Sequence, residues 1–124
     1  MSTRGTGSLA ERLAAVFLEM NGYSILEAGY RFRGKEIDLV ATRGATIAFV
    51  EVKFRSGDRR GLPREAVGEH KRRHIVFAAR GFLAERRISD ARLRFDVVEV
   101  VLERGGLALR VEHLPAAFRA EGHR

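Results

Sequence analysis

The chain has 124 residues and no cysteine, and its 23 Lys and Arg against 16 Asp and Glu leave a net charge of +7. That length accommodates one domain with its own core, and the cysteine count excludes disulfides, thiolate metal sites and a cysteine nucleophile. No apolar stretch approaches the ~20 residues of a membrane span, and Met1 to Ser8 lacks the apolar centre of a signal peptide, so a cytoplasmic protein with no membrane partner is expected. The positive charge favours an anionic partner, nucleic acid first among them. Only Lys35, Lys53 and Lys71 are lysine, so arginine-rich codon usage is a second source of that charge.

Residues 1–7 are polar and glycine-rich and read as a flexible tail, with the domain proper expected over residues 8–114. Ser8-Leu9-Ala10-Glu11 has the form of a capping box, Ser8 as N-cap and Glu11 at the third helical position. Leu9, Leu13, Val16, Phe17 and Met20 follow at helical spacing, and Asn21-Gly22 stops the helix. Tyr23 to Arg33 alternates loosely as a strand, Gly34-Lys35 reads as a turn, and a second strand covers about Glu36 to Thr42. Arg43-Gly44-Ala45 turns back into a third, about Thr46 to Arg55. A polar, basic loop over Ser56 to Gly61 precedes a helix expected to open at Pro63 and run to about Arg87, with Val67, Ile75, Ala78 and Phe82 as its apolar stripe. Arg92 to Glu103 contains Val97-Val98-Glu99-Val100-Val101, apolar on both faces as in a central strand. Arg104-Gly105-Gly106 is a hairpin turn before a strand over Leu107 to His113, and residues 115–124 are expected as a short helix or a tail. The order α-β-β-β-α-β-β implies an α/β domain with a mixed sheet flanked by helices.

Two acidic motifs interrupt this apolar frame: Glu36-Ile37-Asp38, and Glu51-Val52-Lys53 thirteen residues later. A charge buried on a strand without a partner costs several kcal/mol, so these side chains require a reason. Residues two apart on a strand share a face, which pairs Glu36 with Asp38 and Glu51 with Lys53. A hairpin through Arg43-Gly44-Ala45 would bring Asp38 close to Glu51, and two such carboxylates repel unless a cation lies between them. Hard oxygen ligands suit Mg²⁺ or Mn²⁺, with Lys53 placed to orient a water or to stabilise developing charge on a phosphate. The bland alternative is an ion pair between Lys53 and a carboxylate, for which three acids and one lysine are out of balance.

The rare lysines cluster around the same motifs. Lys35 precedes Glu36, Lys53 closes the second motif, and Lys71 interrupts the apolar stripe of the second helix. A lysine there either faces the sheet near the carboxylates or snorkels at the edge of the stripe. Glu11 is accounted for as the capping residue. His70 and His74, at i and i+4, have zinc spacing but no third ligand nearby and read as a solvated pair. Arg55, Arg59, Arg60, Arg64, Arg72 and Arg73 form a basic run that either contacts phosphates or is simply solvated.

Gly34-Lys35-Glu36-Ile37-Asp38-Leu39-Val40, Phe49-Val50-Glu51-Val52-Lys53-Phe54-Arg55, Ala66-Val67 with Lys71, and Arg94-Phe95-Asp96-Val97-Val98 together resemble the YraN family of small bacterial proteins, in its order and spacing, from about Gly7 to Glu112. That family is similar to the restriction-endonuclease-like PD-(D/E)xK superfamily and, within it, to archaeal Holliday-junction resolvases. The resemblance implies Asp38 as a metal-binding aspartate, Glu51 and Lys53 as the ExK pair, and Glu11 as a further metal ligand. The family usually has glycine where this chain has Lys35, which would narrow the approach to Glu36 or add a phosphate contact. The resulting expectation is a Mg²⁺- or Mn²⁺-dependent endonuclease acting on duplex or branched DNA. Asp38, Glu51, Glu11 and Glu36 would serve the metal, Lys53 the water, and Lys71, Arg55, Arg72 and Lys35 the nucleic acid. A two-fold dimer would suit a branched substrate. The alternative is a non-catalytic nucleic-acid- or partner-binding module that kept the fold.

Overall fold

A computed structural model describes residues 5–56, 67–106 and 108–120. Helix α1 (Gly5–Met20) precedes strands β1 (Ser24–Phe32), β2 (Lys35–Arg43) and β3 (Thr46–Ser56). Helix α2 (Glu69–Arg86) then leads to β4 (Arg92–Leu102), a 3-10 turn (Arg104–Gly106) and β5 (Leu109–Phe118). The five strands form one sheet in chain order. Every neighbouring pair is antiparallel except β3 and β4, which are parallel and joined through α2, as a crossover helix requires. This is the expected mixed sheet with helices, in the expected order.

The helices cover opposite faces, as the alternation along β3 shows. Ile47 and Phe49 pack with Ile75, Ala78 and Phe82 of α2, whereas Ala48 and Val50 pack with Ala14 and Leu18 of α1. The central strand β4 is buried from Phe95 to Val101. Its one acid in the predicted apolar run, Glu99, is buried and neutralised by Arg55 of β3.

Three expectations are corrected. Helix α1 begins at Gly5, so Ser8 lies inside it and is not its cap. The stripe expected to face the core does not: Leu9, Val16 and Met20 are exposed, and Ala10, Ala14 and Leu18 are buried instead. The sheet face below is already filled by Leu39, Val50, Val98 and Tyr23, and two alanines let the helix backbone sit close to it. The predicted stop at Asn21-Gly22 is present as a Schellman turn, with Tyr23 N–H bonding the Leu18 carbonyl and Gly22 N–H the Glu19 carbonyl. The predicted start of the second helix at Pro63 lies outside the described residues, and Gly68 is the residue before its first turn. Finally, residues 115–118 continue β5 and form neither helix nor tail.

That last segment is held by Asp96. Its side chain is fully buried and accepts from Arg94 Nε at 2.9 Å and Nη2 at 2.8 Å, from His113 Nε2 at 2.8 Å and from the Ala116 N–H at 3.0 Å. The Ala116 backbone turns through a positive φ of 55° where the β4–β5 register shifts between Phe95 and Val97, and Phe118 then stacks on Phe95 at 5.2 Å. An edge strand tolerates Pro115 because its outer side needs no ladder bond.

Burial alone would raise the Asp96 pKa, but the bonds from His113, Arg94 and Ala116 outweigh it and hold the group below the ordinary carboxylate range. Its stabilisation is therefore present above that range and is lost as pH falls through the lowered value. Asp96→Ala should lower unfolding free energy by about 3–5 kcal/mol, the loss expected when one partner of a buried charge network is removed, and should flatten the acid limb of stability against pH in chemical denaturation. A second constraint is Gly81 of α2, where an added Cβ would lie 2.4 Å from the Phe32 ring of β1. Gly81→Ala should cost about 1–3 kcal/mol by displacing that ring, measured by the same denaturation.

Candidate metal centre

The acidic motifs lie where the sheet forks. The β2–β3 ladder runs from Arg43 opposite Thr46 to Leu39 opposite Val50 and ends there. Beyond it β2 stays paired with β1 as far as Lys35, and β3 with β4 as far as Ser56. Asp38 and Glu51 are the first residues past the last rung. The Val52 N–H, which would otherwise meet a neighbouring carbonyl, donates to Asp38 Oδ2 at 2.8 Å.

The two acid sets then meet different helices. Ile37 packs among α2-side residues but Leu39, two residues on, packs among α1-side ones, so strict alternation breaks at Asp38, and there Glu11 of α1 joins Glu36 and Asp38. Carboxylate oxygens of Glu11, Glu36 and Asp38 all lie within 4.8 Å of one another. Val50 and Val52 pack on the α1 side, so Glu51 and Lys53 turn toward α2. Glu51 Oε2 there lies 3.5 Å from Lys71 Nζ and 3.7 Å from Lys53 Nζ. The single face expected for the four motif residues is thus two half-sites, and they meet at Asp38, which touches both Glu36 and Glu51 electrostatically.

Glu51 is 4 % exposed, and its Oε1 has no hydrogen-bond partner among the described residues. Burial, then the Asp38 charge, pushes its pKa up to about 7, against the pull of Lys71 and Lys53. Asp38 is also raised, by burial first and with a contribution from Glu36, while the Val52 N–H and Lys71 oppose the shift. A carboxylate held this way takes either a proton or a cation. The donors at the fork are all oxygens, a set that suits Mg²⁺ or Mn²⁺ and does not suit softer metals.

A cavity of about 300 Å³ opens beside Glu36, lined by Arg31, Gly34, Lys35, Lys71 and His74. Arg31 Nη1 bonds Glu36 Oε1 at 3.0 Å. Desolvation, then the charges of Lys35, His70, Lys71 and Arg73, keeps the His74 pKa below the ordinary imidazole value, as expected where cations converge. Lys35 and Lys71 therefore stand together at the site. The two arginines paired with them as nucleic-acid contacts are held against the fold. Arg55 bonds Glu99, while Arg72 donates to the Val67 carbonyl at 2.9 Å and lies over the Phe118 ring. The rings of His70 and His74 meet edge to face at 5.2 Å and join no acidic cluster among the described residues. Arg59, Arg60 and Arg64 lie outside the described residues.

Sequence reasoning missed Arg31 and read His74 as one of a solvated pair; only the packing of α2 over β1 and β2 brings both to the cavity. It also missed Gly29. Its neighbours pair as Ala28 with Leu39 and Tyr30 with Ile37, so Gly29 stands opposite Asp38. Its φ of +68° is one that other residues resist, and an added Cβ would come within 3.6 Å of Glu36 Oε2. A glycine inside an alternating strand was the available signal.

Residues 10–100 match the uncharacterised protein family UPF0102, a span that contains Glu11, Glu36, Asp38, Glu51, Lys53 and Lys71. A UPF0102 protein of Desulforapulum autotrophicum is 48% identical over 115 residues, 93% of each chain. One of Geobacter metallireducens is 44% identical over 118 residues, 95% of each chain. One of Acetivibrio thermocellus is 43% identical over 112 residues, covering 90% of this chain and 86% of that one. A match of this extent, reaching across both half-sites and nearly the whole sheet, means that the chain belongs to the UPF0102 family.

Proposed function

We propose that this protein is a divalent-metal-dependent endonuclease that hydrolyses phosphodiester bonds of DNA. The observation that carries the reading is the buried Glu51 Oε1, without a hydrogen-bond partner among the described residues, beside Asp38 and the Glu11–Glu36–Asp38 cluster. Asp38 and Glu51 would hold Mg²⁺ or Mn²⁺, aided by the Glu51-Val52 carbonyl, with Glu11 and Glu36 as further carboxylates. The bound ion supplies charge neutralisation at the phosphate and acidifies water.

The protein's own groups do the rest. Lys53, one third exposed and within 3.7 Å of Glu51, orients the attacking water and meets charge developing on the phosphoryl oxygens. Lys71, Lys35, Arg31 and His74 receive the flanking phosphates in the cavity. In the net reaction the water oxygen bonds to phosphorus, the bond to the leaving sugar oxygen breaks, and that oxygen gains a proton. Burial of Glu51 and partial burial of Asp38 limit access of bulk water to the donors and strengthen their charge interactions. The net charge of +7 and the resemblance to restriction-endonuclease-like enzymes of the PD-(D/E)xK kind favour DNA, and the likeness to Holliday-junction resolvases makes branched DNA the first substrate to try. The cations of the cavity would serve a non-catalytic binding module equally well, and metal dependence separates the two.

With Mg²⁺ or Mn²⁺, the wild type should cleave at least one of a panel of branched, flapped and linear DNAs. Asp38→Ala and Glu51→Ala should reduce the rate on the order of 10²–10³-fold. Lys53→Met should do the same while leaving calorimetric Mn²⁺ binding intact. Cleavage that survives both carboxylate variants overturns the assignment, and salt-sensitive DNA binding indifferent to metal and to Lys53 supports the binding module.

The raised Glu51 pKa gives a second test. Because the folded value of about 7 exceeds the unfolded one, the folded state binds the extra proton and stability falls as pH rises from about 4.5 through 7. In chelator at pH 8, Glu51→Gln should therefore be more stable than wild type, on the order of 1–3 kcal/mol, and should show no gain near pH 4. Mn²⁺ should raise the thermal midpoint of the wild type at pH 8 and that of the variant much less.

A further inference from the structure

The outward stripe of α1 is unusual for a helix whose inner face is already buried. Leu9 is 49 % exposed, Val16 52 % and Met20 79 %, and Leu13 between them is half-buried. These four lie four, three and four residues apart, a spacing that reads identically from either end and matches the seam of a coiled coil. At about 100° per residue the stripe lies roughly 130° around the helix from Ala10, Ala14 and Leu18. It therefore occupies one flank of α1, and Glu11 of the metal centre projects from the opposite flank.

Two exposed charges border the solvent side of the stripe, Arg12 toward one end and Glu19 toward the other. They stand seven residues apart on the same side. If a second α1 lies antiparallel along the stripe, a two-fold axis passes between Leu13 and Val16. Leu9 then meets the partner's Met20, and Leu13 the partner's Val16. The same axis sets Arg12 against the partner's Glu19, and the symmetric contact repeats at the other end. In a parallel arrangement the two-fold axis runs along the helices and carries the partner's Arg12 and Glu19 to the other side of the seam, so the charges would not meet. Apolar spacing and charge order thus select the same geometry, and it is self-complementary, as an isologous interface must be.

We infer that α1 is a dimerisation helix, packed antiparallel on α1 of a second copy through Leu9, Leu13, Val16 and Met20, with Arg12 and Glu19 setting the direction. The inference is independent of the metal centre, which lies on the far flank of the helix and stays open in the dimer.

The test is sedimentation equilibrium of the full chain up to about 100 µM, above the micromolar Kd range of small interfaces. The wild type should sediment at twice the monomer mass. Val16→Asp, at an exposed position, should be monomeric with an unchanged circular dichroism spectrum. Arg12→Glu and Glu19→Arg should each raise the dimer Kd on the order of tenfold by placing like charges together, and the double variant should restore it. A monomeric wild type, as would follow if residues 1–4 or 57–66 of the same chain cover the stripe, overturns the inference. So does a dimer that survives Val16→Asp, or a double variant no tighter than the single ones.

Discussion

The end of the β2–β3 ladder at Leu39 and Val50 is the constraint from which the rest of the site follows. While two strands stay paired, their backbone groups satisfy each other and their side chains remain on separate faces. Where they part, the Val52 N–H is released to Asp38, and groups from both faces of the sheet reach the same gap. Glu11 arrives from one covering helix and Lys71 from the other. The fork is tolerable because each central strand keeps its outer partner, β2 with β1 and β3 with β4, so each retains one ladder of backbone bonds. Gly29, at a positive φ, stands opposite Asp38 at this fork.

Two buried acids on this sheet show how environment separates architecture from chemistry. Asp96 is wholly enclosed, yet it is matched by a bidentate arginine, a histidine and a backbone N–H, and its pKa is lowered. Such a group locks β5 onto β4 and has nothing left to offer a ligand. Glu51 is nearly as buried but, among the described residues, has two lysines at 3.5 and 3.7 Å on one oxygen and no hydrogen-bond partner on the other, and its pKa is raised. A fold that needed only stability would replace it with an apolar residue. Retaining it costs stability at neutral pH, a cost that the cation of the proposed function would offset. The same comparison explains the arginines. Arg55 and Arg94 neutralise buried acids within the sheet, whereas the lysines stand partly exposed around the site.

Much of the fold was legible in the sequence because it rests on local periodicity. Strand alternation located β1 to β4 to within a residue or two, and the turns at Gly34, Gly44 and Gly105 bear the positive φ that glycine allows. The errors arose where a local signal competed with long-range packing. Helix α1 has its strongest apolar periodicity on the flank and its buried line on alanines, which carry little hydropathy. Nothing in the sequence of α1 shows that the sheet beneath it is already full. The end of β5 was misread because Pro115 ordinarily breaks regular structure, while a distant aspartate, Asp96, determines its path.

The sequence by itself determined which groups could do chemistry: Glu36 and Asp38, Glu51 and Lys53, and an isolated Lys71, each charged where an apolar frame makes charge expensive. It also determined that these residues would stand on two successive strands and on the helix that follows, since spacing of two and of about 3.6 is a property of the backbone. Only the tertiary structure decided that the acids form two half-sites meeting at Asp38, that Arg55 and Arg72 are held by the fold, and that Arg31 and His74 join the cavity. Those outcomes depend on where two strands part and on how two helices settle across the sheet. Both are set by contacts between residues far apart in the chain, which no local pattern records.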